Sequence, residues 1–261
     1  MPIKQLGVFG NLQTRNVLAA IATMIMVAWL IPWTAPLLDQ VDEFIFYTLN
    51  GSLEWGGSYW QLYWAFANHR TFDATIGVIY LSCFAAYCFW RTDRETAGRR
   101  CAELCTLMLT LLLVMATVHV FFEVVHYRRL SPTRVLDSPI RLRDLFPDWD
   151  VKDRSSNSYP ADHGLVALYL CLYFILRAPR GYAIAFCTIA FIAIMPRLVG
   201  GAHWVTDVIT GSFFFATIAW CIVEGTGLFD WTAKRFAMVT NRLAYPISGW
   251  LQRIPFLRAS G

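Results

Sequence analysis

Charge is what this sequence has least of. Asp, Glu, Lys and Arg make up 15% of its 261 residues, against roughly 25% in an ordinary soluble domain, and that deficit excludes a soluble globular reading. The formal net charge is only +4, and most of that excess sits beside hydrophobic runs, so no nucleic-acid-binding signature remains. None of the seven cysteines forms a Cys-x-x-Cys pair, which removes the common zinc spacings. None lies in a segment expected to face an oxidising compartment, so they read as buried thiols. There is no His-Glu-x-x-His and no carboxylate cluster of metal spacing, so neither a metal nor a cofactor is expected. Repeats and low-complexity stretches are also missing, which leaves one domain over residues 1–261.

What is present is apolar: 57% hydrophobic and 16% aromatic residues. The expected fold is all-α, a polytopic membrane protein built as a six-helix transmembrane bundle. A bilayer crossing needs roughly 20 apolar residues, and six runs approach that, at about Val17 to Leu38, Ala74 to Trp90, Cys101 to Phe122, Gly164 to Leu176, Tyr182 to Met195 and Trp204 to Val223. The first lacks a small-x-small cleavage site before "IPWTAPLLDQ" and reads as an uncleaved anchor. Basic residues cluster before the first run (Lys4, Arg15), between the second and third (Arg91, Arg94, Arg99, Arg100), between the fourth and fifth (Arg177, Arg180), and after the sixth (Lys234, Arg235, Arg242, Arg253, Arg258). Cytoplasmic loops retain positive charge, so both termini are expected in the cytoplasm. The opposite face receives an aromatic segment at about 42–70, expected to lie at the interface, and an irregular loop at about 123–162, long enough to be functional.

Three clusters fall on that opposite face. In "PRLVGGAHWVTD", His203 and Asp207 are four apart, one turn of a helix expected to begin at about His203. The aspartate is placed to hold the Nδ1 proton and leave Nε2 nucleophilic. Gly200 and Gly201 permit a tight turn, and Arg197 offers a planar fork matched to phosphate oxygens. In "SNSYPADHG", His163 follows a proline turn and is placed to protonate a leaving oxygen. In "YRRLSPTR", Arg128, Arg129 and Arg134 add positive charge, and Ser131 is either a phosphate donor or a cap.

The order Arg-x-Ser-Pro, Pro-x-x-His and Arg-x5-His-x3-Asp resembles the type 2 phosphatidic acid phosphatase superfamily of integral membrane enzymes. That resemblance implies His203 as nucleophile, Asp207 as its orienting carboxylate, His163 as general acid, and Arg129 with Arg197 as the phosphate clamp. Two positions depart from the pattern. The lysine expected seven residues before the first-motif arginine is Phe122, a charge that Arg128 is placed to replace, and the usual serine of Pro-Ser-Gly-His is Ala161, followed by Asp162 beside His163. The wider set, "VDEFIFYTLN", "ANHRTFDA", "RRLSPT" and "SYPADHG", is most similar to the branch of lipid A 1-diphosphate synthases. That branch implies an inner-membrane enzyme with a periplasmic site that moves a phosphate from undecaprenyl pyrophosphate to lipid A. The same residues also serve a phosphatase with water as acceptor, and a non-enzymatic lipid carrier would use the arginines for headgroup binding alone.

Overall fold

A computed structural model describes residues 12–251, 253 and 254; Lys4 and Arg258 of the charge pattern lie outside them. Among the described residues eleven α-helices follow one another: α1 Leu12–Leu30, α2 Ala35–Trp55, α3 Gly57–Ala67, α4 Arg70–Phe89, α5 Arg94–Val125, α6 Pro132–Val135, α7 Leu142–Leu145, α8 Asp162–Arg177, α9 Arg180–Val199, α10 Phe213–Gly225 and α11 Leu228–Leu251. A π-helical stretch, Asp207–Ser212, runs directly into α10. No strand occurs among the described residues.

Among the described residues, five helices are long and apolar enough to cross a membrane: Gln13–Leu30, Arg70–Phe89, Arg94–Val125, Arg180–Val199 and Asp207–Gly225. The fourth expected run, Gly164 to Leu176, falls inside α8, whose 16 residues rise about 24 Å against a hydrocarbon core of roughly 30 Å. This short helix is the centre of the core. Tyr169, Tyr173 and Phe174 of α8 are fully enclosed, with Leu107 of α5, Phe186 of α9 and Trp220 of α10 around them. Phe174 and Phe186 stack 3.6 Å apart between centroids. Outward-facing Val78, Leu81, Leu112 and Phe191 remain exposed, the composition of a lipid-contacting surface rather than a water-contacting one.

The first expected run is corrected. It does not continue to Leu38, because α1 stops at Leu30 and a turn at residues 31–34 separates it from α2. Pro32 and Pro36 explain the break: the residue before a proline is pushed out of helical geometry, and Pro36 sits in the first turn of α2, where its missing N–H costs nothing. The aromatic segment at 42–70 is helical as α2 and α3, with Phe44, Trp55 and Tyr59 exposed.

The long connection after α5 is held down by hydrogen bonds. Asn50 of α2 exchanges bonds with the backbone of Ile140 and also donates to the Val199 carbonyl. Thr133 donates to the carbonyls of Asp153 and Gly201. Ser131 is fully buried and accepts from the Ser155 amide at 2.9 Å. Its side chain therefore fastens the loop rather than facing an open phosphate site.

Candidate active site

Five of the residues singled out in the sequence, Arg129, His163, Arg197, His203 and Asp207, meet at one end of the bundle in two adjoining groups. The first is built around Asp207. Trp204 to Asp207 form the start of a helix in which the Asp207 carboxylate reaches back to the Trp204 amide at 2.8 Å, as the acidic residue of a capping box does. The helix therefore begins after His203, not at it, and His203 sits in the turn before it. That turn depends on Gly201, whose φ is +75° and whose added Cβ would stand 2.6 Å from both Phe46 and Thr133.

This placement changes how the imidazole is held. His203 Nδ1 lies 2.7 Å from the Ser158 carbonyl and 3.8 Å from Asp207 Oδ2. A carbonyl only accepts, so Nδ1 carries a proton and Nε2 of the neutral ring is left with its lone pair. Ser158 itself is fixed through its amide, which donates to the Arg129 carbonyl at 2.7 Å. Asp207 contributes negative charge near Nδ1 rather than its closest acceptor.

Arg129 joins Asp207 to a second buried carboxylate. One terminal nitrogen is 2.8 Å from Asp207 Oδ1, and the other is 2.8 Å from Asp42 Oδ2. The guanidinium also lies over the Trp204 ring, 4.9 Å from its centroid. Asp42 has almost no exposed surface and accepts from both the amide and the hydroxyl of Thr206. Burial pushes its carboxyl above the usual carboxylate range, outweighing Thr206 and Arg129. Burial pulls the Arg129 guanidinium down, but the carboxylates of Asp207 and Asp42 hold it above its ordinary value.

The second group is built around Asp73, in the first turn of α4. Arg197 Nη2 is 2.5 Å from Asp73 Oδ1, His163 Nε2 is 3.6 Å from the same oxygen, and Lys152 Nζ is 2.8 Å from Oδ2. Arg197 is 3% exposed and also donates to the Asn68 side chain at 3.2 Å. The two groups share backbone: the amides of Ala202 and His203 both donate to the Arg197 carbonyl. The carboxylate facing the His163 ring is thus Asp73 from another helix, while Asp162, its neighbour in sequence, is exposed.

Arg128 and Arg134 are not brought into either group. Arg128 is 70% exposed and approaches Glu123 at 3.8 Å, and Arg134 is exposed at the end of α6. An exposed pair of this kind contributes little, so Arg128→Ala is expected to leave kcat/KM for a phosphorylated lipid within about twofold. A phosphate-release assay that showed a loss beyond tenfold would place Arg128 on the substrate. Among the described residues no three His, Cys, Asp or Glu side chains converge as a metal-holding set.

The sequence pattern missed Asp42, Asp73, Lys152 and the Ser158 carbonyl. Asp42 left a signal: Asp42, Phe46, Asn50 and Leu53 fall at spacings of four, four and three and are all buried, an acid and an amide on the stripe that should be apolar.

Residues 103–228 match the family model described as the PAP2 superfamily. The chain is also 29% identical over 210 residues, 77% of its own length and 83% of the relative's, to the lipid A 1-diphosphate synthase of Escherichia coli (strain K12). No solved structure matches significantly.

Proposed function

We propose, for a chain that carries a PAP2-superfamily domain and is a membrane lipid phosphatase or phosphotransferase, that it moves the terminal phosphate of undecaprenyl pyrophosphate to the 1-phosphate of lipid A. The observation that carries the chemistry is the Nδ1 contact of His203, 2.7 Å from a carbonyl, because it leaves Nε2 free to attack. Nε2 forms a bond to the terminal phosphorus while the bond from that phosphorus to the bridging oxygen breaks. His163 gives a proton to the departing undecaprenyl phosphate. Arg197, released from Asp73 onto the phosphoryl oxygens, and Arg129 beside Asp207 supply positive charge for the transition state. An oxygen of the lipid A phosphate then attacks the phosphohistidine, and Nε2 is restored.

The transferase reading rests on the similarity to the lipid A enzyme, which extends beyond the 103–228 domain to 77% of the chain. The site belongs on the periplasmic face of the inner membrane, at the end of the bundle away from Arg100, Arg177 and the basic start of α5. α8 then makes a sixth crossing. The test supplies terminally labelled undecaprenyl pyrophosphate and lipid A to the purified protein in detergent. Label in lipid A supports transfer, and label confined to free phosphate contradicts it and leaves a lipid phosphatase.

A further inference from the structure

A groove of about 240 Å³ runs between α4, α8 and α9, starting at His163 and Asp73. Its mouth carries Asp73, Asp162 and His163; its walls are Ile76, Val166, Ala167 and Ala193, and Tyr80 closes it. Tyr80 lies seven residues beyond Asp73 on one helix, about 10 Å further along it. All the charged lining is therefore at the mouth, and apart from Tyr80 the passage behind it is apolar. The Tyr80 hydroxyl is buried and has no hydrogen-bond partner. Gly77 leaves one side open: a Cβ there would meet nothing within 4 Å.

We infer that this groove binds the isoprenoid chain of the donor, holding the part nearest the phosphates. The inference rests on the reading of His163 as the acid that protonates the leaving lipid phosphate. That acid must touch the bridging oxygen, so the leaving group and the chain attached to it continue from His163 into adjacent space. The groove is the apolar space that begins there. Its volume equals about eight water-sized volumes, enough for the first isoprene units, so polarity rather than size decides what it takes. Lipid A carries its phosphate on a sugar, whose hydroxyls would face Ile76, Val166 and Ala167 without partners, a costly burial. The donor chain, with no polar group along it, meets no such cost.

The experiment compares phosphate loss from farnesyl diphosphate and from dimethylallyl diphosphate, for the wild-type protein, Gly77→Leu and Val78→Leu in detergent. Val78 is 61% exposed and outside the groove lining. The wild type is expected to prefer the longer donor by at least about tenfold in kcat/KM, and Gly77→Leu to remove about tenfold of that preference, the loss of roughly two buried methylenes. Val78→Leu keeps the wild-type ratio. Because each ratio is taken within one preparation, a smaller folded fraction cancels. A ratio unchanged in Gly77→Leu, or lost equally in Val78→Leu, overturns the assignment. The readout is phosphate leaving the donor, so it is scored whichever acceptor takes it. If label never reaches lipid A but the ratio falls in Gly77→Leu, the transferase reading fails and the groove stands.

Discussion

Replacing His203 with alanine is expected to lower phosphoryl turnover by on the order of 10⁴-fold or more, with little change in donor affinity. The substitution removes the nitrogen proposed to form the covalent bond, and among the described residues no other imidazole is held with a carbonyl on Nδ1 in this way. Arg197, Arg129 and Lys152 stay where their own partners put them: Asp73 for Arg197 and Lys152, and Asp42 with Asp207 for Arg129. Binding and chemistry therefore separate. Phosphate release measured over a range of donor concentrations checks this, and a variant that turns over within tenfold of wild type would show that His203 is not the nucleophile.

Asp42 gives the second large effect, through stability as well as rate. Its carboxylate faces Arg129 and both donors of Thr206 in a site closed to water. Asp42→Ala leaves a guanidinium that is 15% exposed with Asp207 at 2.8 Å and the exposed Asp39 at 3.5 Å as its remaining carboxylates, and leaves the Thr206 amide without its acceptor. Breaking a buried pair in this way costs about 3–5 kcal/mol. Asp42→Asn keeps the side-chain volume and an acceptor for the Thr206 amide, but it loses the charge and turns the oxygen facing Arg129 and the Thr206 hydroxyl into an NH2 donor, so it costs less than alanine but still destabilises. Thermal unfolding in detergent should rank wild type above Asp42→Asn above Asp42→Ala. Both variants should also lose turnover, on the order of 10²-fold, since Arg129 and Thr206 border Asp207 and Asp207 borders His203. Two variants that unfold at the wild-type temperature would contradict this account of Asp42.

Five of the six expected spans were legible because long apolar runs with basic flanks leave few alternatives. Where the reading went past a local break, the cause was proline: Pro32 and Pro36 end α1 and start α2 inside what hydropathy alone joins into one run. The candidate site was legible in part. The four-residue spacing of His203 and Asp207 does bring them together, but through a capping box on Trp204 rather than one turn of a helix that contains both. That difference moves the imidazole's closest acceptor from Asp207 to the Ser158 carbonyl, which no side-chain pattern encodes. Asp42 and Asp73 were hidden for another reason. Asp42 lies in the aromatic segment expected at the interface and Asp73 just beyond it, and their partners Arg129 and Arg197 are 87 and 124 residues away. Contacts of that range come from packing, not from local spacing.

The most direct test of the account is the chemical state of His203 during turnover. Protein mixed with terminally labelled undecaprenyl pyrophosphate and quenched in alkali should yield a peptide containing His203 that carries a base-stable, acid-labile phosphoryl group, absent from His203→Ala. Wild-type protein that transfers or releases the phosphate at full rate with no label ever found on His203 would contradict the phosphohistidine and the site built around it.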